Sequence, residues 1–183
     1  MDLDPRPTPK LFNQKDIIDQ LMIAEGASIA DLGCGTGFLT FEAAKRTGDD
    51  GKVFAVDVQP SIISVIQSGI KTYGLRNIKP ILADLEVPGS TKIKSDLIDH
   101  VFLATILYQV KNHKNVISEA MRILVKDGKL LIFDWKKKNV PFGPSIKMRI
   151  AKDEAKKLVE IEGFKYIKDI NAGDYHYGMV FEK

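Results

Sequence analysis

The feature that most constrains this chain is a repeated change of hydrophobic period between residues 13 and 135. Short apolar runs bounded by turn residues alternate with segments whose apolar residues recur every three to four positions. The runs Ser28–Leu32, Lys52–Asp57, Ile78–Ala83, Leu97–Leu103 and Lys129–Asp134 read as strands. The first helix is expected from Asn13, an N-cap with Asp16 three residues on, and Ile17, Ile18, Leu21 and Met22 form its apolar face. A second helix is expected over Phe38–Arg46, closed by Gly48. A third starts at Pro60 and runs to Gly74, with Ile62, Ile63, Val65, Ile66 and Ile70 on one face. A fourth covers Asn115–Val125, with Val116, Ile117, Ala120, Met121, Ile123 and Leu124 turned inward, ahead of an Asp127-Gly128 turn. Alternation of this kind buries both faces of a parallel sheet under helices, and right-handed crossovers wind it in two directions. The expected fold is a doubly wound α/β sheet. Ligands of such sheets bind beyond the carboxyl ends of the strands, where strand order reverses. The residues that follow each strand therefore carry the functional reading.

The alternation stops at Trp135. The segment WKKKNVPFGPSIKMR has five basic residues, two prolines and no acid, and 135–150 reads as a lid-like loop. Helical periodicity resumes over Asp153–Glu162, closed by Gly163. A hairpin is expected at the end, with Phe164–Ile170 turning through Asn171, Gly173 and Asp174 into Tyr175–Phe181. The 183 residues suit one domain over 1–183, with 1–12 as an extended arm. The uncharged stretch Val58–Ile70 is too short for a membrane span, and the polar, proline-rich MDLDPRPTPK is not a signal peptide, so a cytoplasmic location is expected. One cysteine and three scattered histidines (His100, His113, His176) offer no metal-ligand spacing, and no metal is expected. Chemistry here must run on an organic cofactor or on plain acid–base groups. Between Lys126 and Lys168 stand 12 Lys and Arg against 6 Asp and Glu. A solvated surface explains such a bias most simply; an RNA or an anionic metabolite docking on Lys136–Arg149 is the other reading.

Asp31-Leu-Gly33-Cys34-Gly35-Thr-Gly37 joins the first strand to the second helix. Its glycines permit a tight turn and close backbone approach, and the helix beyond offers unpaired N–H groups to an anion. A nicotinamide fingerprint needs G-x-G-x-x-G, and the third glycine at 37 misses that spacing by one residue. A phosphate-binding P-loop needs a terminal G-K-[ST], which Gly37-Phe38-Leu39 lacks. The third reading is S-adenosylmethionine (SAM). Asp31 opposes a phosphate but suits an ammonium, and a carboxylate can sit at the glycine turn. Asp57 ends the second strand, 24 residues after Gly33, where a carboxylate can accept both ribose hydroxyls. Asp84, followed by Leu85, ends the third and can accept from an adenine amine. Three acids after three successive strands converge on one sheet edge.

The segments IADLGCGTGFLT, VFAVDVQP, ILADLEVP and EAMRILVKDGKLLIFDW resemble the class I SAM-dependent methyltransferases, and among them the branch of ubiquinone/menaquinone C-methyltransferase-like and general methyltransferase-domain proteins. The resemblance covers Ala27 to Trp135. It implies a seven-stranded, mostly parallel Rossmann-like sheet whose last strand is antiparallel, with SAM over the first strand. It assigns Asp31, Gly33, Gly35 and Gly37, with Cys34 among them, to the methionine part. Asp57 would take the ribose, Val58 would lie beside the adenine ring, Asp84 would meet its amine, and Ala104 would lie near the sulfonium; Leu85 is expected among the cofactor-binding residues. Where relatives often carry a histidine after the fourth strand, this chain has Leu107-Tyr108-Gln109.

Methyl transfer is a displacement on an already activated sulfonium, so the protein mainly aligns the nucleophile and removes a proton where needed. The residues after the fourth strand are Ala104-Thr105-Ile106-Leu107, not the Asn/Asp-Pro-Pro-aromatic turn of base-amine methyltransferases. Cys34 lies inside the glycine motif and is unsuited as a nucleophile on cytosine. The several thiols of arsenite methylation are absent, and only Asp134 stands where metal-dependent catechol-type enzymes cluster acids. What remains is a small-molecule or protein acceptor, a small molecule being expected first, approached through Tyr108, Trp135 and Tyr175-His176-Tyr177, with Tyr108 and His176 as catalytic candidates. Strand alternation puts Tyr175 and Tyr177 on one face and His176 on the other. The rivals are a nicotinamide-dependent oxidoreductase and a SAM- or RNA-binding module without its own turnover.

Overall fold

The computed structural model describes residues 13–183, and the expected arm at 1–12 lies outside the described residues. The elements follow as α1 (Gln14–Gln20), β1 (Ser28–Leu32), α2 (Thr40–Thr47), β2 (Lys52–Asp57), α3 (Pro60–Tyr73), β3 (Ile78–Leu82), β4 (Ile98–Ala104), α4 (His113–Ile123), β5 (Leu124–Trp135), α5 (Lys152–Ile161), β6 (Lys165–Ile170) and β7 (His176–Glu182). The seven strands form one sheet in the order β3-β2-β1-β4-β5-β7-β6. Pairing is parallel from β3 to β5, and β7 runs antiparallel to both β5 and β6. This is the expected doubly wound sheet with an antiparallel last strand. Strand order reverses between β1 and β4, which opens a crevice at their carboxyl ends.

Alternate side chains of each strand feed two cores. Ala30, Leu32, Val56, Val101, Leu103, Leu130 and Ile132 pack under α4 and α5 through Val116, Ile117, Ala120, Ala155 and Val159. On the other face Ile29, Val53, Ala55, Phe102, Leu131 and Phe133 pack under α1, α2 and α3 through Ile17, Ile18, Ala43, Ala44 and Ile66. Both faces being dry explains why β1 reads as a nearly unbroken apolar run. Asn13 caps α1 by accepting from the Lys15 amide at 2.9 Å. Gly74 closes α3 in the left-handed conformation.

Three local expectations are corrected. Met22 lies past the end of α1, at φ +54° and 81% exposed, so it is no part of the apolar face. Val65 is exposed on α3, and only Ile66 of its expected face is fully buried. The Asp127-Gly128 turn does not precede β5 but is absorbed into it. β5 starts at Leu124 opposite Ile98, shifts register, and resumes with Lys129 opposite His100, Asp127 taking φ +63° at the irregularity. The fourth helix accordingly ends at Ile123 rather than Val125.

Candidate active site

The carboxyl ends of β1, β2, β3, β4 and β5 surround a cleft of about 640 Å³, within the range of small-molecule sites. Asp31, Gly33, Cys34, Gly35, Asp57, Val58, Asp84, Leu85, Ala104, Tyr108 and His176 all line it. Twelve site residues were read from sequence, and the structure sets one of them apart. Gly37 (φ +87°) donates its amide to Cys34 O at 3.0 Å and packs away from the cleft, where a Cβ would strike Phe41 and Ile66. Its glycine serves the turn and the packing of α2 on α3.

The other loop glycines face the cleft for different reasons. Gly33 sits at φ +77°, and a Cβ there would lie 2.6 Å from Ile106 Cδ1 of the loop after β4. Gly35 sits at φ +50° with nothing within 4 Å of a Cβ, so its backbone is open to an occupant. The amides of Gly33 and Cys34 both donate to Val56 O, at 2.8 and 2.9 Å, which ties the loop to β2. Asp57 completes the tie: one oxygen accepts from the Gly35 amide at 3.1 Å, the other from the Gln59 amide at 2.9 Å. Each oxygen keeps acceptor capacity for a further donor.

Asp31 is the most buried of the three acids, and Thr40 Oγ1 donates to it at 2.6 Å. Burial pushes its carboxyl up to about 6; the Thr40 bond pulls the other way, and the nearby Asp57 charge adds to the rise. Thr40 was missed from sequence, although it begins α2 nine residues after Asp31. Asp84 stands exposed at the rim and accepts from the Glu86 amide. Cys34 is buried, and desolvation followed by the Asp31 and Asp57 charges drives its thiol up, which leaves it inert as a nucleophile.

The opposite half of the cleft is ring-lined. Phe133, Trp135, Phe142, Tyr175 and His176 meet there, and Tyr108 also lines the cleft. His176 stacks on Phe133 at 4.8 Å and tilts against Trp135 at 4.1 Å. Burial, then the Arg149 and Lys136 charges, holds its imidazole down at about 4. The strand-alternation reading of this hairpin is corrected. Tyr175 precedes β7 and faces the cleft with His176, whereas Tyr177 packs in the core and its hydroxyl donates to Ile150 O at 3.4 Å. Asp134 is buried behind the wall, outside the cleft lining. It accepts from the amides of Leu107 and Trp135, and burial lifts its carboxyl to about 6. It pins the loop after β4 to the end of β5. Glu86 does similar work at the rim, accepting from the Lys111 and Asn112 amides ahead of α4.

The irregular segment after β5 folds around Arg149, which is 3% exposed. Its guanidinium donates to the carbonyls of Pro144, Lys136, Lys138 and Phe142 at 2.7–3.1 Å and lies 5.1 Å over the Trp135 ring. Arg149 is thus an internal strut rather than part of an exposed basic strip. Among the described residues, no group of His, Cys, Asp and Glu could hold a metal ion, and no helix is long and apolar enough to cross a membrane.

Residues 23–171 match the family described as "Methyltransferase domain". The chain is similar to a probable cobalt-precorrin-6B C(15)-methyltransferase (decarboxylating) of Saccharolobus solfataricus, at 27% identity over 115 residues, 63% of this chain and 56% of that protein. It is also similar to the ubiquinone/menaquinone biosynthesis C-methyltransferase of Hahella chejuensis, at 29% identity over 125 residues, 68% of this chain and 49% of that protein. The chain spans about half the length of the curated relatives it matches. In fold it is similar to a SAM dependent methyltransferase from Aquifex aeolicus, with TM-score 0.86 and 24% identity, covering 94% of this chain and 90% of the other.

Proposed function

The chain belongs to the methyltransferase-domain family, with the class I SAM-dependent fold, and from that premise we propose that it binds SAM in the cleft and transfers the methyl group in line to a small-molecule acceptor. The observation that carries the reading is the convergence of Asp31, Asp57 and Asp84 with the glycine loop on one cleft. The donor set fits. SAM is cationic, and this half of the cleft is lined by acids; Gly35 leaves open the space a side chain would fill. Bound there, SAM supplies a methyl group on a sulfonium, ready for displacement.

The chain's own residues do the rest. We assign Asp31 to the ammonium, the glycine-loop backbone to the carboxylate, Asp57 to the ribose diol, Asp84 to the adenine amine, and Val58 and Leu85 to the ring faces. Ala104 gives a small wall at the end of β4, where bulk would block the approach of a nucleophile. Tyr108 and His176 face the acceptor half. Burial, with Asp134 nearby, raises the Tyr108 phenol, and the His176 imidazole is held low, so both are neutral at pH 7. Neutral groups of this kind orient an acceptor by hydrogen bonding; an imidazole at about 4 is a weak proton acceptor. The nicotinamide reading is not favoured, because the family match and the glycine spacing both oppose it.

Calorimetry with SAM, S-adenosylhomocysteine and NAD tests the assignment. The first two should bind and NAD should not. Asp57→Ala should weaken SAM binding by about 1–3 kcal/mol, the scale of lost charge-assisted hydrogen bonds. Unchanged affinity in a folded Asp57→Ala protein would contradict it. Turnover on an identified acceptor should survive EDTA; loss on chelation with rescue by a divalent ion would overturn the metal-free reading. His176→Ala should lower kcat/KM for the acceptor and leave SAM affinity alone. At saturating SAM the wild-type pH–rate profile should lack an inflection near 6.5, the ordinary histidine value. An inflection there that disappears in His176→Ala would make His176 a titrating base after all.

A further inference from the structure

Building on the methyltransferase reading, we infer that the Thr105 hydroxyl faces the sulfonium of the bound donor and makes the cleft prefer SAM to S-adenosylhomocysteine, which favours exchange of spent donor for fresh. Thr105 follows Ala104 at the end of β4 and lines the cleft. Its φ is +54°, in the left-handed region, where a branched Cβ crowds the main chain. Among the described residues, four others that are not glycine share this sign of φ: Met22, Lys92, Asp96 and Asp127. All four are exposed, none lines the cleft and none branches at Cβ. The fold imposes the conformation on residue 105. Its amide donates to Phe133 O at 2.6 Å, and its carbonyl accepts from Gln109 Nε2 at 2.7 Å. Both bonds are made by main chain, so a glycine would make them too, and without strain. What threonine adds is its side chain, and strain held by a residue of a cleft points to a use for that side chain.

The side chain brings a hydroxyl that the protein itself does not use. Thr40 Oγ1 donates to Asp31 and Thr91 Oγ1 to Glu119, but no described residue bonds Thr105 Oγ1. Its neighbours define where it stands. Ile106, the next residue, packs on the glycine loop, its Cδ1 2.6 Å from the place of a Gly33 Cβ. Phe133, bonded to the Thr105 amide, stacks with His176 of the ring-lined half. Residue 105 therefore sits at the seam between the two halves of the cleft, and a methyl group passing in line from donor to acceptor crosses that seam. Hydroxyl lone pairs turned on a sulfonium attract a positive charge, and they lose that attraction to the neutral thioether left after the methyl has gone. The groups assigned to Asp31, Asp57 and Asp84 are the ammonium, ribose and adenine, which SAM and S-adenosylhomocysteine share. The methyl-bearing sulfur is where the two differ, and Thr105 is the polar side chain that follows Ala104 there.

Calorimetric titration of the full chain with SAM and with S-adenosylhomocysteine, in the wild type and three variants, is the test. Thr105→Val keeps the branched shape and removes the hydroxyl. It should bind SAM about threefold to tenfold more weakly, the scale of one hydrogen bond, and S-adenosylhomocysteine as the wild type does. Thr105→Ser keeps a hydroxyl and should retain most of the SAM affinity. Thr105→Gly should lose the preference for SAM as Thr105→Val does, yet unfold at higher urea than the wild type, because the strain at residue 105 has gone. Equal weakening of both ligands in Thr105→Val, no weakening of either, or a Thr105→Gly protein that unfolds at lower urea than the wild type would each overturn the inference while leaving the donor site in place. Binding of neither ligand by the wild type would sink the methyltransferase reading, and this inference with it.

Discussion

Asp31→Asn should give a protein that is more stable at pH 7–8 than the wild type and that binds SAM about tenfold to a hundredfold more weakly. Burial raises the Asp31 carboxyl to about 6, so the folded chain holds that proton more tightly than the unfolded one. The sign follows directly. This group favours the fold below about pH 4, and that contribution is lost as pH rises through about 6. An asparagine carries no charge to bury and still accepts from Thr40 Oγ1, so the unliganded protein should gain about 1–3 kcal/mol at neutral pH. The same change removes the negative charge that faces the donor's ammonium, at a loss of about tenfold to a hundredfold in affinity. In the wild type, SAM affinity should fall as pH drops through about 6, and Asp31→Asn should abolish that dependence. Thermal unfolding and calorimetry across pH 5–8 check both halves. A variant that binds SAM normally, or one destabilised at pH 8, would show that Asp31 serves only the fold.

The second large effect separates two glycines, Gly35 and Gly37, that the sequence motif treats alike. Gly37→Ala should destabilise the fold by about 2–4 kcal/mol, because strain at φ +87° adds to a Cβ driven into Phe41 and Ile66. Gly35→Ala should lose only about 1 kcal/mol, since its φ of +50° lies in the left-handed region and its Cβ meets no atom. Its methyl would instead project into the donor half of the cleft and weaken SAM binding about tenfold or more. Urea unfolding and SAM titration of the two variants give opposite rankings if this division holds. Equal stability losses, or normal SAM binding by Gly35→Ala, would reject it.

The sheet was legible because its central strands are dry on both faces. Apart from Asp31, residues Ile29 to Leu32 and Val53 to Val56 are apolar and buried, and the turn residues around them marked their ends. The donor half of the cleft was legible for a related reason: in a doubly wound sheet, position in sequence after a strand dictates position in space. The misreadings fall where that rule gives out. Met22 continued the helical spacing, but the chain had already left the helix at Leu21. Alternation assigned Tyr175 to the face of Tyr177, yet alternation begins only where β7 does, at His176. Gly37 carried a motif letter, while its conformation and its neighbours on α2 and α3 are facts of packing that no spacing encodes. Arg149 looked like one more charge in a basic loop. Only the fold shows that its partners are four carbonyls up to 13 residues away in sequence.

Those four bonds go to main chain, and main chain is common to every residue. A strut that grips carbonyls is indifferent to the side chains at positions 136, 138, 142 and 144, so the path of the loop and the residues it displays are separately adjustable. The wall facing the acceptor can thus be rewritten while Arg149 keeps its course, whereas exchanging Arg149 itself would release the whole stretch at once. For anyone seeking to redirect this protein to a new acceptor, Phe142 and Lys138 are the places to begin, and Arg149 is the residue to leave alone.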